Sequence, residues 1–176
     1  MTNTRYNRTA RVLHWTVAVL VFVQLILGVA ADKASKPLSG QLLDQHVRLG
    51  LLILALIILR ALWRASHSPP PLPVELPRWQ RRLAGGAHRF LYVLLLVLPI
   101  SGYVLWDWIG RPLDWYGLLD IPLLFKGGDD ETWRSIAGYT HVWSAYALMA
   151  LISIHIAAAL WHEFVARDQL ISKRML

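Results

Sequence analysis

Cysteine is absent from the 176 residues. Its absence excludes disulfides, iron–sulfur clusters, thiolate zinc sites and covalent c-type haem attachment, so any metal or cofactor must be held by His, Met or oxygen ligands. Charge is also scarce. Only 16% of residues are Asp, Glu, Lys or Arg, against about 25% in a typical soluble domain, which is too few to cover a globule of this size. No internal repeat occurs, and no low-complexity tract beyond one proline run.

What the chain has instead is hydrophobicity: 56% of residues, and a mean hydropathy of +0.42, gathered in four blocks. The pattern predicts an all-α membrane protein, a four-transmembrane-helix bundle forming one domain over 1–176, with spans at about 10–31, 42–63, 87–107 and 136–164. Twenty apolar residues at about 1.5 Å each match the roughly 30 Å hydrocarbon core. The first block is too long for a signal-peptide core and no small-residue cleavage site follows it. The net charge of +7 therefore reflects membrane topology, not nucleic-acid binding.

Lys and Arg set the expected orientation. Arg5, Arg8, Arg11, Arg60, Arg64, Arg78, Arg81, Arg82, Arg89, Arg167, Lys173 and Arg174 fall on one side, twelve of the 18 basic residues. Lys33, Lys36, Arg48, Arg111, Lys126 and Arg134 fall on the other. The positive-inside rule puts both termini and the middle loop in the cytoplasm. The acids lean the other way, leaving the outer face near a net −2. The middle loop contains Ser68-Pro-Pro-Pro-Leu-Pro73, which cannot stay helical and reads as an extended linker. The long outer segment from Ile109 to Arg134 reads as a lid or a docking surface.

Ionisable and metal-binding side chains inside hydrocarbon are costly and usually functional. Of seven histidines, His67 sits in the proline linker and the other six lie in or at the ends of the spans. His141 and His155 are 14 residues apart on span four, on one face and about 21 Å apart along the axis. His46 lies at the depth of His141, and His14 at the depth of His155. Two histidine pairs at matched depths are what two bis-histidine haems in a four-helix bundle require. The expected pairs are His46 with His141 near the outer side and His14 with His155 near the inner side. Gly28, Gly50, Gly102 and Gly138, one per span, would let a porphyrin approach the backbone, or simply let helices pack.

His88 competes with His14 for the inner position, and His162 shares the face of His155. Left free of iron, His88 and His162 are placed to hydrogen-bond a quinone carbonyl and pass a proton, with Arg89, Arg8 and Trp161 as helpers. Ordinary interfacial histidines are the plainer alternative. Arg48 follows His46 by two residues and would meet either Asp44, four positions earlier, or a haem propionate.

Arg11-Val-Leu-His14-Trp15, His46-Val-Arg48-Leu-Gly50, Gly86-Ala-His88-Arg89 and His155-Ile-Ala-Ala-Ala-Leu160-Trp-His162 resemble the bacterial cytochrome b561 family. More broadly they are similar to the haem b subunits of membrane-bound hydrogenases and formate dehydrogenases. The likeness runs from about Tyr6 to Arg167, and it supports His141 and His155 as the two span-four ligands. The resemblance to small, superoxide-oxidising members of the family implies two b-type haems and a bacterial inner-membrane location. It also implies a superoxide:ubiquinone oxidoreductase, an enzyme that oxidises periplasmic superoxide to oxygen and reduces ubiquinone near the cytoplasmic side. Superoxide is an anion, and steering it needs a local positive field. Arg48, Lys126 and Arg134 are the candidates for that cluster, with Arg111 beside them.

The competing expectation is an electron-transfer subunit that links a partner dehydrogenase or hydrogenase to the quinone pool, the long Trp-rich outer loop serving as the partner surface. A histidine-based metal transporter or haem chaperone would need an open polar path, for which the spans have few acids. A structural scaffold would leave the paired histidines without a role.

Overall fold

Four long helices make up the computed structural model, which describes residues 5–71, 76–124 and 131–176. Helix α1 runs Arg8–Lys33, α2 Leu38–Ser66, α3 Arg78–Ile109 and α4 Glu131–Leu160. Counted through the turn that follows α4, their hydropathies of 1.7 to 2.3 and lengths of 26 to 35 residues suffice to cross a membrane. Each runs past the expected span limits, because the polar residues at the ends can remain helical outside the hydrocarbon. The longest extension is at the start of α3, where Arg78, Arg81 and Arg82 are good helix formers.

The ends are set by local chemistry. Asn7 caps α1, its Oδ1 accepting from Ala10 N at 2.8 Å, a bond of a kind worth about 1 kcal/mol. The same oxygen accepts from Trp63 Nε1 at 3.2 Å, which ties the start of α1 to the end of α2. Gly110 ends α3 in the left-handed region, φ 68°, where a side chain would be strained.

Packing runs α1 against α2, α2 against α3 and α3 against α4. Val17, Val21, Ile53, Ile57, Leu94 and Leu148 form the buried centre, one apolar layer drawn from all four helices. Large apolar side chains such as Val19, Phe22, Ile26, Ile58, Val93 and Ile154 face outward. In water this would be an error of patterning. In lipid it is the expected surface, and the helices are held by close packing instead.

The outer segment, expected to be a lid or a docking surface, contains a hairpin. Strand β1 (Leu113–Trp115) pairs antiparallel with β2 (Leu119–Ile121), Leu113 opposite Ile121. Tyr116 and Gly117 both have positive φ, 53° and 71°, the twist that a tight hairpin turn requires. At the other end, α4 passes into a π-helical turn, Trp161–Val165, and then into short α5, Leu170–Arg174. Glu163 caps α5 through Ile171 N and Ser172 N. Arg174, only 5% exposed, donates to the Pro70 and Pro71 carbonyls at 2.7 and 2.8 Å. Trp15 Nε1 donates to the Met175 carbonyl and Arg5 to that of Leu176. The chain end is thereby fastened to the proline linker and to α1.

Candidate functional site

Two histidine groups lie on either side of the apolar layer. In the group toward the hairpin, the rings of His46 on α2 and His141 on α4 have centroids 6.1 Å apart at an interplanar angle of 77°. Each ring is fixed through Nδ1. His46 donates to the Gln24 carbonyl at 3.2 Å, and Gln24 Nε2 returns a bond to the His46 carbonyl at 2.8 Å. His141 Nδ1–H is shared between the Leu98 carbonyl at 3.0 Å and Ser101 Oγ at 3.1 Å. Both Nε2 atoms are left without a hydrogen-bond partner among the described residues.

This geometry fits a bis-histidine haem. A metal–imidazole bond is about 2 Å, so rings at this separation could hold one iron between their free Nε2 atoms. Histidines that bind a metal also characteristically spend their other N–H on a carbonyl, carboxylate or water, which fixes the tautomer. An apolar cavity of about 140 Å³ adjoins the pair, lined in part by Leu43, Val47, Leu51, Leu105, Trp106 and Ile109.

The four glycines behave differently from one another. A β-carbon on Gly28 would lie 3.0 Å from His46 Cε1, and one on Gly102 would lie 2.9 Å from His141 Cε1. At Gly50 it would meet Gln24 Nε2 at 3.1 Å, and at Gly138 only Leu105 at 3.9 Å. Gly28 and Gly102 thus make room for imidazole rings, Gly50 for the Gln24 amide, and Gly138 has no close approach to serve.

In the second group, the rings of His88 and His155 stand 5.4 Å apart at 73°. His88 bonds the Ala84 carbonyl. His14 lies within electrostatic reach of both, but its Nδ1 accepts from Arg60 Nη2 at 3.0 Å. In that tautomer Nε2 carries the proton. Arg60 also lies over the Tyr92 ring, 5.4 Å from its centroid. The structure therefore brings His14, His88 and His155 to one level, with His155 nearest His88.

Beyond them, His162 sits in the π-helical turn and donates from Nδ1 to Asp168 Oδ2 at 2.6 Å. Turns of this kind re-aim side chains and recur at functional sites. Arg167 and Gln169, flanking Asp168, both have positive φ, so the backbone folds back to bring this carboxylate to Nδ1. Arg89 is exposed and lines a recess with Arg78, Arg81 and Arg82.

The outer basic residues are only partly gathered. Arg48 Nε donates to the Asp114 carbonyl at 3.0 Å, and its guanidinium lies 5.2 Å from the Tyr116 ring centre. Trp115 Nε1 donates to the Arg48 carbonyl and Tyr116 OH to Gln45. Asp44, one of the two partners expected for Arg48, pairs with Arg111 instead, at 3.6 Å, because the hairpin delivers Arg111 to it. Arg134 is exposed at the start of α4 and makes no bond with this group. Lys126 lies outside the described residues.

Sequence reasoning passed over Gln24, Arg60, Ser101 and Asp168. An arginine within the apolar run of α2 was a readable signal for Arg60. The others act on histidines of other helices or across a turn, and no spacing rule reveals them. Among the described residues no three His, Asp or Glu side chains gather to hold a bare metal ion; the histidines of the outer group come as a pair.

The family described as prokaryotic cytochrome b561 matches residues 5–176. "Cytochrome b561 homolog 2" of Escherichia coli (strain K12) is 32% identical over 180 residues, covering 99% of this chain and 94% of its own. "Cytochrome b562" of Cereibacter sphaeroides is 26% identical over 176 residues, covering 97% and 94%. "Probable superoxide oxidase CybB" of Yersinia pestis is 26% identical over 166 residues, covering 93% and 91%.

Proposed function

Because the chain belongs to the prokaryotic cytochrome b561 family, and so is a multi-pass bacterial membrane protein of electron transfer, we propose that it is a superoxide:ubiquinone oxidoreductase holding two b-type haems. The observation that carries this reading is the pair of histidine groups separated by an apolar layer. The haems, when bound, supply one-electron transfer through that layer. His46 and His141 hold the outer one and His14 and His155 the inner one.

Packing favours His14 for the inner pair. α3 and α4 are direct neighbours in the bundle, so the contact of His88 with His155 is that of adjacent helices, with little room for a flat macrocycle between them. The α1–α4 and α2–α4 pairs are not among the main packing pairs, which leaves those separations to be filled. His14 would exchange its bond with Arg60 for iron, and His88 stays free.

His88 and His162 then serve the quinone. Asp168 holds His162 with Nδ1–H engaged, so Nε2 faces away as the atom that exchanges a proton with the quinone oxygen. Arg89, beside His88 and exposed toward lipid, lines the way in. On the outer side, Arg48, Lys126 and Arg134 supply the positive field for superoxide. The membrane is the bacterial inner membrane with both termini cytoplasmic, as the basic residues favour.

The test is haem quantified per polypeptide in the detergent-purified chain, followed by ubiquinone reduction on addition of superoxide. Two b-type haems and superoxide-dependent quinol are expected; no haem, or no superoxide-dependent rate, would overturn the reading. One observation favours a second reading, a haem subunit serving a partner dehydrogenase or hydrogenase. Leu118 and Leu124, at and just beyond the hairpin, are 76% and 66% exposed, an apolar tip suited to docking. Co-purification with a redox enzyme that alone sustains quinone reduction would establish it.

A further inference from the structure

The first turns of α3 carry three arginines, Arg78, Arg81 and Arg82, that neither haem nor quinone accounts for. Arg78, Arg82 and Arg89, with Gly85 between them, fall on one helical face. Arg81 and Gly86 flank it, and together the six line an open recess of about 500 Å³. Neither Gly85 nor Gly86 would bring a β-carbon within 4 Å of any neighbour, so the floor is bare backbone under open space.

Among the described residues the guanidinium groups have no partner to bind. Every ion pair among the described residues lies elsewhere, and none of these four arginines makes a side-chain hydrogen bond there. Like charges at this spacing repel, and each guanidinium presents a fork of donors matched to phosphate oxygens. The same stretch also exposes apolar bulk: Trp79 60%, Leu83 64% and Phe90 55%. A soluble anion would use the arginines and ignore that surface. A ligand with a phosphate at one end and hydrocarbon at the other uses both, and exposed tryptophan marks the depth at which headgroups meet acyl chains.

We propose that this arginine recess binds the phosphate headgroup of an anionic phospholipid in the leaflet on the side of the termini, its acyl chains lying along Leu83 and Phe90. The orientation of that leaflet rests on the topology proposed above; the binding itself does not.

The test uses the haem-loaded protein in detergent, with phosphatidylglycerol and phosphatidylcholine of identical acyl chains as probes and retained lipid read by native mass spectrometry. The wild type should hold phosphatidylglycerol at least about tenfold more tightly than phosphatidylcholine. The variant R78Q/R81Q/R82Q should lose about tenfold or more of that affinity, with haem content unchanged. R8Q/R167Q/K173Q, matched in charge and outside the recess lining, should lose little. Arg82→Gln alone is read in parallel, so that poor folding of the triple variant leaves the comparison intact; it should weaken binding several-fold. Equal affinity for the two lipids, an equal loss in the charge-matched variant, or full displacement by millimolar inorganic phosphate would each overturn the proposal. Because haem content is read in the same samples, failure of the haem assignment and failure of the lipid site are distinguishable.

Discussion

Gly102 stands where a β-carbon would lie 2.9 Å from Cε1 of His141. The ring also bonds the carbonyl of Leu98, the residue four positions before that glycine. Gly28 and Gln24 treat His46 in the same way. A helix carbonyl already accepts from the N–H four residues on, and a second donor must approach past that residue's side chain. Glycine there removes the obstacle. One helix of each pair, α1 or α3, thus provides a carbonyl and a gap. The other, α2 or α4, provides the imidazole that fills the gap and leaves Nε2 free.

Gly102→Ala should therefore displace His141. The clash is with a ring held on two sides by Leu98 and Ser101, which has little freedom to give. The expected result is loss of one haem of two, or a marked change in its reduced spectrum. Gly138→Ala, whose β-carbon would meet only Leu105 at 3.9 Å, should keep both. Full haem content in Gly102→Ala would show that the contact is slack.

Much of this was legible in the sequence, for identifiable reasons. The four helices followed from uncharged runs long enough to cross hydrocarbon. The spacing of His141 and His155 followed from helical periodicity. The hairpin did not, because strands of three residues, Leu113–Trp115 and Leu119–Ile121, carry too little alternation to register. The pairing of Asp44 with Arg111 was hidden for the same reason: helical spacing offers Asp44 only Arg48, and it is the hairpin that brings in another arginine. The Nδ1 partners of His46 and His141 are backbone carbonyls on other helices, which have no residue type to be recognised by.

The histidine assignments separate by single substitutions. His46→Ala and His141→Ala should each cost the outer haem and leave one haem per chain. His155→Ala should cost the inner haem. The informative comparison is His14→Ala against His88→Ala: under the pairing proposed, the first leaves one haem and the second leaves two with slowed quinone reduction. The opposite result would transfer the axial role to His88, its ring already 5.4 Å from that of His155.

Asp168→Asn removes the carboxylate that His162 Nδ1 meets at 2.6 Å. Losing the outer partner of an imidazole that binds a metal typically costs tenfold to a hundredfold, and an imidazole that exchanges protons should suffer on the same scale. Quinone reduction should fall within that range while both haems remain and the superoxide-driven reduction of the haems is unchanged. A matching loss in His162→Gln, with no further loss in the double variant, would show that the two act as one unit. Independent, additive losses would separate them.

Arg48 is the outer residue whose removal should be felt most widely. Its side chain bonds the Asp114 carbonyl and lies against Tyr116, while its own carbonyl accepts from Trp115. Arg48→Gln removes a positive charge from the outer rim and one of the fastenings of the hairpin. Electrostatic steering raises association rates by about tenfold to a thousandfold, and is screened by salt. In Arg48→Gln the superoxide rate at low ionic strength should fall several-fold, and its dependence on salt should flatten. Tyr116→Phe breaks the bond to Gln45 and leaves the charge in place, so it loosens the hairpin alone. If Tyr116→Phe reproduces the loss at every ionic strength, Arg48 acts by holding the hairpin; if it leaves the salt dependence intact, the charge itself guides the anion.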